Sequence, residues 1–132
     1  MNVFIPITDK KGNTYYLAAE TIRMIQLQGK DDTVIYCLSG SSKQIKTATP
    51  VEAIVNQIHQ NSPTKRLIPF TNSYGVSGYL SVDYIGHIEA DKRGNAQIHC
   101  VYGDTREIIG TKTTVQEIMT HIQQVGGVIV QG

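Results

Sequence analysis

Ile5-Pro6-Ile7-Thr8 returns 63 residues later as Ile68-Pro69-Phe70-Thr71, and this echo decides the fold. Outward from it, Tyr16-Leu17 is answered by Tyr79-Leu80, and Ile22 and Ile25 by Ile85 and Ile88. Ile35, Cys37 and Gly40 are answered by Ile98, Cys100 and Gly103. After one inserted residue, Thr49, Val51, Ile54 and Ile58 are answered by Thr113, Val115, Ile118 and Ile122. Self-similarity at a fixed offset marks a duplicated architecture. The matched positions are apolar residues and turns, whereas the charged positions mostly differ.

Each copy reads as four short strands followed by a helix. In the first copy, β-branched and aromatic residues alternate over residues 3–7, 33–38 and 44–48. Residues 15–17 and 22–27 carry the same pattern, separated by an ambiguous bend or helical turn at 18–21, with Ile22, Met24 and Ile25 competing for the inner face. Asp9-Lys10-Lys11-Gly12-Asn13, Gly29-Lys30-Asp31-Asp32 and Ser39-Gly40-Ser41-Ser42 punctuate these runs as turns. The helix has the strongest local signal. Thr49 is an N-cap candidate, Pro50 sits at the first helical position and Glu52 at the third. Val51, Ile54, Val55 and Ile58 then form the stripe of a helix with one buried face. The second helix repeats this with Thr113 and Gln116 as its capping box. Beyond it, Gly126 or Gly127 ends the helix, and residues 128–130 predict a short terminal strand. That strand would close a sheet edge in the same chain or pair with a neighbouring subunit.

A unit of about 60 residues buries too little core to be robust alone. The sequence therefore predicts an α+β protein: two ββββα repeats, residues 1–62 and 65–132, sharing one joint domain. Lys plus Arg is 12 against 11 Asp plus Glu, and only 17% of residues are charged. A net charge of +1 gives no sign of a strong polyanion binder. Few charges among many neutral polar groups suit a homo-oligomer and equally an ordinary small domain, and a homo-oligomer is the expectation. Cys37 and Cys100, at equivalent places, read as buried free thiols rather than a disulfide scaffold. No run of 18 apolar residues spans a membrane, and residues 1–5 lack a signal peptide's basic and apolar regions. A cytoplasmic protein is the expectation.

A search for catalytic constellations comes out empty. The chain has no HExxH, no CxxC and no phosphate-cradling loop, so no enzyme and no cofactor is expected. Of the four histidines, His59 and His121 lie late in the helices, near the C-terminal end of the dipole. His87 and His99 fall on neighbouring strands, with Glu89 or Asp91 as a third ligand if they hold a metal. Ordinary strand histidines are the plainer reading, and no metal is assigned.

Seven tyrosines against two phenylalanines is a skewed aromatic set. Tyr16, Tyr36, Tyr79 and Tyr102 sit on predicted strands, where aromatic rings can stack single-stranded bases. Lys11, Lys43, Lys65, Arg66, Arg93 and Arg106 are the basic residues placed to hold phosphates beside them. The ββββα unit given twice resembles, in element order, the positive-cofactor-4, Whirly and PUR-repeat group of single-stranded nucleic-acid-binding proteins. Tyr84-Ile85-Gly86-His87-Ile88-Glu89-Ala90 resembles part of LytTR-type DNA-binding domains, and Tyr16-Leu17-Ala18-Ala19-Glu20-Thr21-Ile22 is similar to FlbD-type flagellar proteins. These resemblances imply a single-stranded nucleic-acid-binding or regulatory module. The alternative is a structural or protein-interaction subunit of a larger assembly, such as a phage particle. Basic residues gathered beside exposed tyrosines favour the first, and scattered charges with an apolar patch favour the second.

Overall fold

A computed structural model of the chain describes residues 2–38 and 44–130. The chain divides into two compact units, Met1–Lys65 and Arg66–Gly132. Each unit has a hairpin, a 3₁₀ turn, a three-strand antiparallel meander and a helix. In the first unit, β1 (Phe4–Thr8) pairs with β2 (Thr14–Ala18), and β3 (Ile22–Gln28), β4 (Asp32–Cys37) and β5 (Gln44–Thr47) pair in sequence before α1 (Val51–Asn61). The second repeats this with β6 (Leu67–Thr71), β7 (Ser77–Ser81), β8 (Ile85–Ala90), β9 (Asn95–Tyr102), β10 (Thr105–Thr114) and α2 (Val115–Gln124). The duplicated sheet-plus-helix unit is as the sequence predicts, with five strands per copy instead of four. The ambiguous bend is the reason. Ala19–Thr21 forms a 3₁₀ turn that the Thr21 hydroxyl fastens by donating to Ala18 O at 2.8 Å. It splits one expected strand into two, and Val82–Tyr84 does the same in the second copy.

Three hairpin turns share one chemistry. Asp9 Oδ1 accepts from the N–H groups of Lys11 and Asn13, Asn72 Oδ1 from Tyr74 and Val76, and Asp91 Oδ1 from Arg93 and Asn95, all at 2.8–2.9 Å. Each turn closes on a glycine in the left-handed region: Gly12, Gly75 and Gly94, at φ 90°, 86° and 82°. A side-chain carboxylate or amide organises the turn, and glycine supplies the backbone angle that other residues resist.

The cores follow the expected periodicities. β1 alternates, with Ile5 and Ile7 buried between exposed neighbours. Ile35, Ile45 and Ile25 lie in register across the first meander, as Ile98 and Ile88 do across part of the second. Ile54, Val55 and Ile58 bury the face of α1, which packs on β3. Ile118 and Ile122 bury that of α2, which packs on β6, β8, β9 and β10. Cys37 and Cys100 are buried free thiols. No helix of the described residues is long and apolar enough to cross a membrane.

Both helix starts lie one residue later than expected. Pro50 caps α1, and Thr114 caps α2 in a capping box with Glu117, rather than Thr113 with Gln116. Thr113 is occupied elsewhere: its buried hydroxyl accepts from Thr71 N at 2.9 Å. Buried threonines at matched positions tie the end of each meander down. Thr47 Oγ1 donates to Thr8 O at 2.7 Å, and Thr111 Oγ1 donates to Ala96 O at 2.7 Å. The expected C-terminal strand does not form in this chain. Residues 127–130 follow the helix as irregular backbone, with Val128 and Val130 exposed.

Candidate functional site

Two surfaces stand out, one on each unit. On the second, the β8–β9 ladder is irregular. Ile85 lies opposite Cys100, but His87 lies opposite His99, so Gly86 is an extra residue bulged out of the ladder. A strand's side chains alternate between faces, and a one-residue slip exchanges them. The bulge lets Ile85 and Ile88 share one face and turns His87 and Glu89 to the other, beside His99. Bulge and glycine are linked: a Cβ at position 86 would meet Val101 Cγ2 at 3.2 Å and His99 O at 3.3 Å.

The three side chains converge. The His87 and His99 rings stack with centroids 3.9 Å apart and planes 18° from parallel. His99 Nε2–H donates to Glu89 Oε1 at 2.9 Å, and His87 Nε2 stands 4.0 Å from Glu89 Oε2. His87 and Glu89 are exposed and His99 is half-buried. Asp91, the other acid considered as a partner, has Oδ1 committed to its own turn.

The first copy has the same bulge, between Ile22 and Met24, with Arg23 as the extra residue. There the positions of His87, Glu89 and His99 are taken by Met24, Gln26 and Tyr36, and the Arg23 guanidinium stands over the Tyr36 ring at 5.1 Å. The Cys37 thiol nearby is pushed up by burial, partly opposed by the positive charges of Arg23 and Lys65. The duplication kept the bulge and changed the chemistry on it.

On the first unit, the outward face of the β1–β2 hairpin carries Phe4, Pro6 and Tyr16, with Pro6 directly opposite Tyr16. Phe4 is 57% and Tyr16 71% exposed. At the matched positions of the second copy, Leu67 is 1% exposed and Pro69 and Tyr79 are half-buried.

The described residues of the expected nucleic-acid set stand in different local surroundings. Of the four candidate tyrosines, only Tyr16 is exposed. Tyr36 lies under Arg23. Tyr79 is half-buried opposite Pro69. Tyr102 packs edge-on against Tyr84, with ring centroids 6.3 Å apart, and donates to Glu107 Oε1 at 3.3 Å. Lys65 is 4% exposed, with its ammonium donating to Glu20 O at 3.1 Å. Arg66 pairs with Asp83 at 3.3 Å. Arg106 is exposed on β10, and Lys43 lies outside the described residues. Lys11 and Arg93 are exposed at two different turns. Each lines a surface depression, Lys11 with Lys10 and Lys46, Arg93 with Lys92 and Lys112. The sequence raises His87, His99 and Glu89 as a metal group without assigning a metal, and it does not mark the hairpin face. The echo of Phe4, Pro6 and Tyr16 in Leu67, Pro69 and Tyr79 was available, but a sequence does not say which copy's face stays open.

No known protein family, no curated protein and no solved structure matches the chain.

Proposed function

We propose that the chain is a non-catalytic protein-interaction subunit that self-associates through the β1–β2 hairpin. The observation that carries this is the open Phe4–Pro6–Tyr16 face, whose counterpart in the second copy is buried at Leu67 and half-buried at Pro69 and Tyr79. Exposed aromatic and proline surface left in water is stabilised by burial, at about 25 cal/mol per Å². β2 is also the edge of a two-stranded sheet, and an open edge offers backbone groups for pairing with another chain. The simplest closed solution is a two-fold dimer, in which the same patch meets itself and the two β2 edges run antiparallel. A net charge of +1 leaves little repulsion between copies.

The test is a solution mass measurement by light scattering across a concentration series. A dimer that dissociates on dilution is expected, with Tyr16→Glu and Phe4→Asp each monomeric and still folded by circular dichroism. Tyr16→Cys would cross-link to a dimer under mild oxidation. A wild-type chain that stays monomeric at the highest concentrations overturns the reading.

Single-stranded nucleic-acid binding is the second reading, favoured by the two basic depressions at Lys11 and Arg93 and by the open Tyr16 ring. Phosphate contacts make affinity fall steeply with salt. Anisotropy titrations with single-stranded and duplex oligonucleotides at two salt concentrations test it. Absence of binding at low salt sinks it.

A further inference from the structure

We infer that His87, Glu89 and His99 form a binding site for a divalent transition-metal ion on the second unit, of the class that prefers imidazole nitrogen with one carboxylate oxygen. Two imidazoles and a carboxylate suit zinc, copper, nickel or cobalt, whereas magnesium and calcium prefer all-oxygen shells.

The donor atoms of the three side chains converge. The ligating atoms of the three residues all lie within 4.8 Å of one another. Ligands about 2.1 Å from a tetrahedral ion stand about 3.4 Å apart. The separations of 2.9 Å from His99 Nε2 to Glu89 Oε1 and 4.0 Å from His87 Nε2 to Glu89 Oε2 bracket that value. Small side-chain rotations suffice, because His87 and Glu89 are exposed and have room to move. The metal takes the Nε2 lone pair of each ring, with the imidazole proton carried on Nδ1 instead.

The backbone holds the three side chains in this arrangement. All three residues stand on paired strands rather than on a loop, and their register is set by the Gly86 bulge. A ladder without the bulge would place Gly86 opposite His99 and turn His87 to the other face. Only the second copy carries the ligands: in the first, the same bulge presents Met24, Gln26 and Tyr36, which is no comparable donor set. The site supplies three protein ligands and leaves the remaining positions open to water or an incoming group.

The experiment is a calorimetric titration of the full chain with zinc chloride, alongside a cobalt(II) titration followed by visible absorption. One ion per chain is expected, with cobalt giving the intense bands of a low-symmetry, four- or five-coordinate site. His99→Ala and His87→Ala should each weaken zinc binding by at least about tenfold, and Glu89→Gln by a smaller factor. The double variant His59→Asn/His121→Asn, which removes the two helix histidines, should bind as the wild type does. All variants are checked for folding by circular dichroism, since His99 is half-buried. Zinc binding that survives His87→Ala/His99→Ala, or is lost with the helix histidines, overturns the assignment. So does the absence of binding to the wild type at millimolar zinc. None of these outcomes depends on self-association, because Tyr16→Glu should bind zinc as well as the parent.

Discussion

Replacing Thr111 by valine tests whether the buried hydroxyls at the ends of the meanders hold them in place. The substitution keeps the side chain's shape and removes its polarity. Thr111 is buried, and its Oγ1 donates to Ala96 O at 2.7 Å and accepts from Thr113 N at 3.2 Å. Valine leaves the Thr113 N–H without that acceptor. A buried donor stripped of its partner costs about 1–3 kcal/mol. The methyl that replaces the hydroxyl returns less than about 0.8 kcal/mol, since the site was never shaped for it. A net loss of about 2 kcal/mol follows. Thr111→Ser is the control: it keeps the hydrogen bonds and forfeits one methyl, about 0.8 kcal/mol. For a chain of this size these losses correspond to Tm shifts of about 8 °C and about 3 °C. Urea unfolding with an unchanged m-value is the cleaner readout, because it reports stability apart from changes in compactness. Thr47→Val, at the matched position in the first copy, should behave in the same way, since Thr47 Oγ1 donates to Thr8 O and accepts from Thr49 N. If valine at 111 is as stable as serine, the hydroxyl is not what anchors β10, and the reasoning fails.

Two further predictions concern a helix cap and a thiol. Thr114→Ala should lower stability by about 1 kcal/mol, and a neutral result would show that the cap lies elsewhere. The Glu117 carboxyl is held below its usual value of 4.5, chiefly by the Thr114 backbone N–H. A depressed carboxyl stabilises the fold above the unfolded value and loses that contribution as pH falls through the folded one. The stability gap between the wild type and Glu117→Gln should therefore narrow as pH drops below 4.5, and a gap that widens there would contradict the box. Cys37 is buried and its thiol is raised by that burial, so thiolate is scarce in the native state. Labelling by a disulfide reagent should be slow natively and fast in denaturant. Native labelling as fast as that of free cysteine would refute the burial.

The residues that recur every two or every three to four positions were legible because they satisfy a local rule. Ile5 and Ile7 alternate, and Ile54, Val55 and Ile58 form a stripe, whatever the rest of the chain does. The turn at Asp9 was legible for the same reason, since its hydrogen bonds close within five residues. The caps were missed by one residue because Thr49-Pro50 and Thr113-Thr114 each offer adjacent candidates. What decides at α2 is a contact across 42 residues, from Thr71 N to the Thr113 hydroxyl. Lys65 was misplaced for a related reason. Beside Arg66 it reads as a basic pair, yet its ammonium reaches the carbonyl of Glu20 inside the first unit. The aliphatic stem of a lysine lets it be buried when the head finds an acceptor, and a linear sequence does not announce the acceptor.

The sequence by itself determined the duplication, the apolar faces of both helices, the α+β class and the chemistry of the hairpin turns. All of these are properties of neighbours within a dozen residues or of one copy compared with the other. Only the tertiary structure decided where the ladders slip. The bulge at Gly86 is a single residue in an otherwise regular pattern, and a period of two looks the same on either side of it. Pairing with β9 fixes the slip, because Ile85 opposite Cys100 and His87 opposite His99 cannot both hold without one residue to spare. That one residue separates a pair of unremarkable strand histidines from a group of three side chains, His87, Glu89 and His99, whose polar atoms converge.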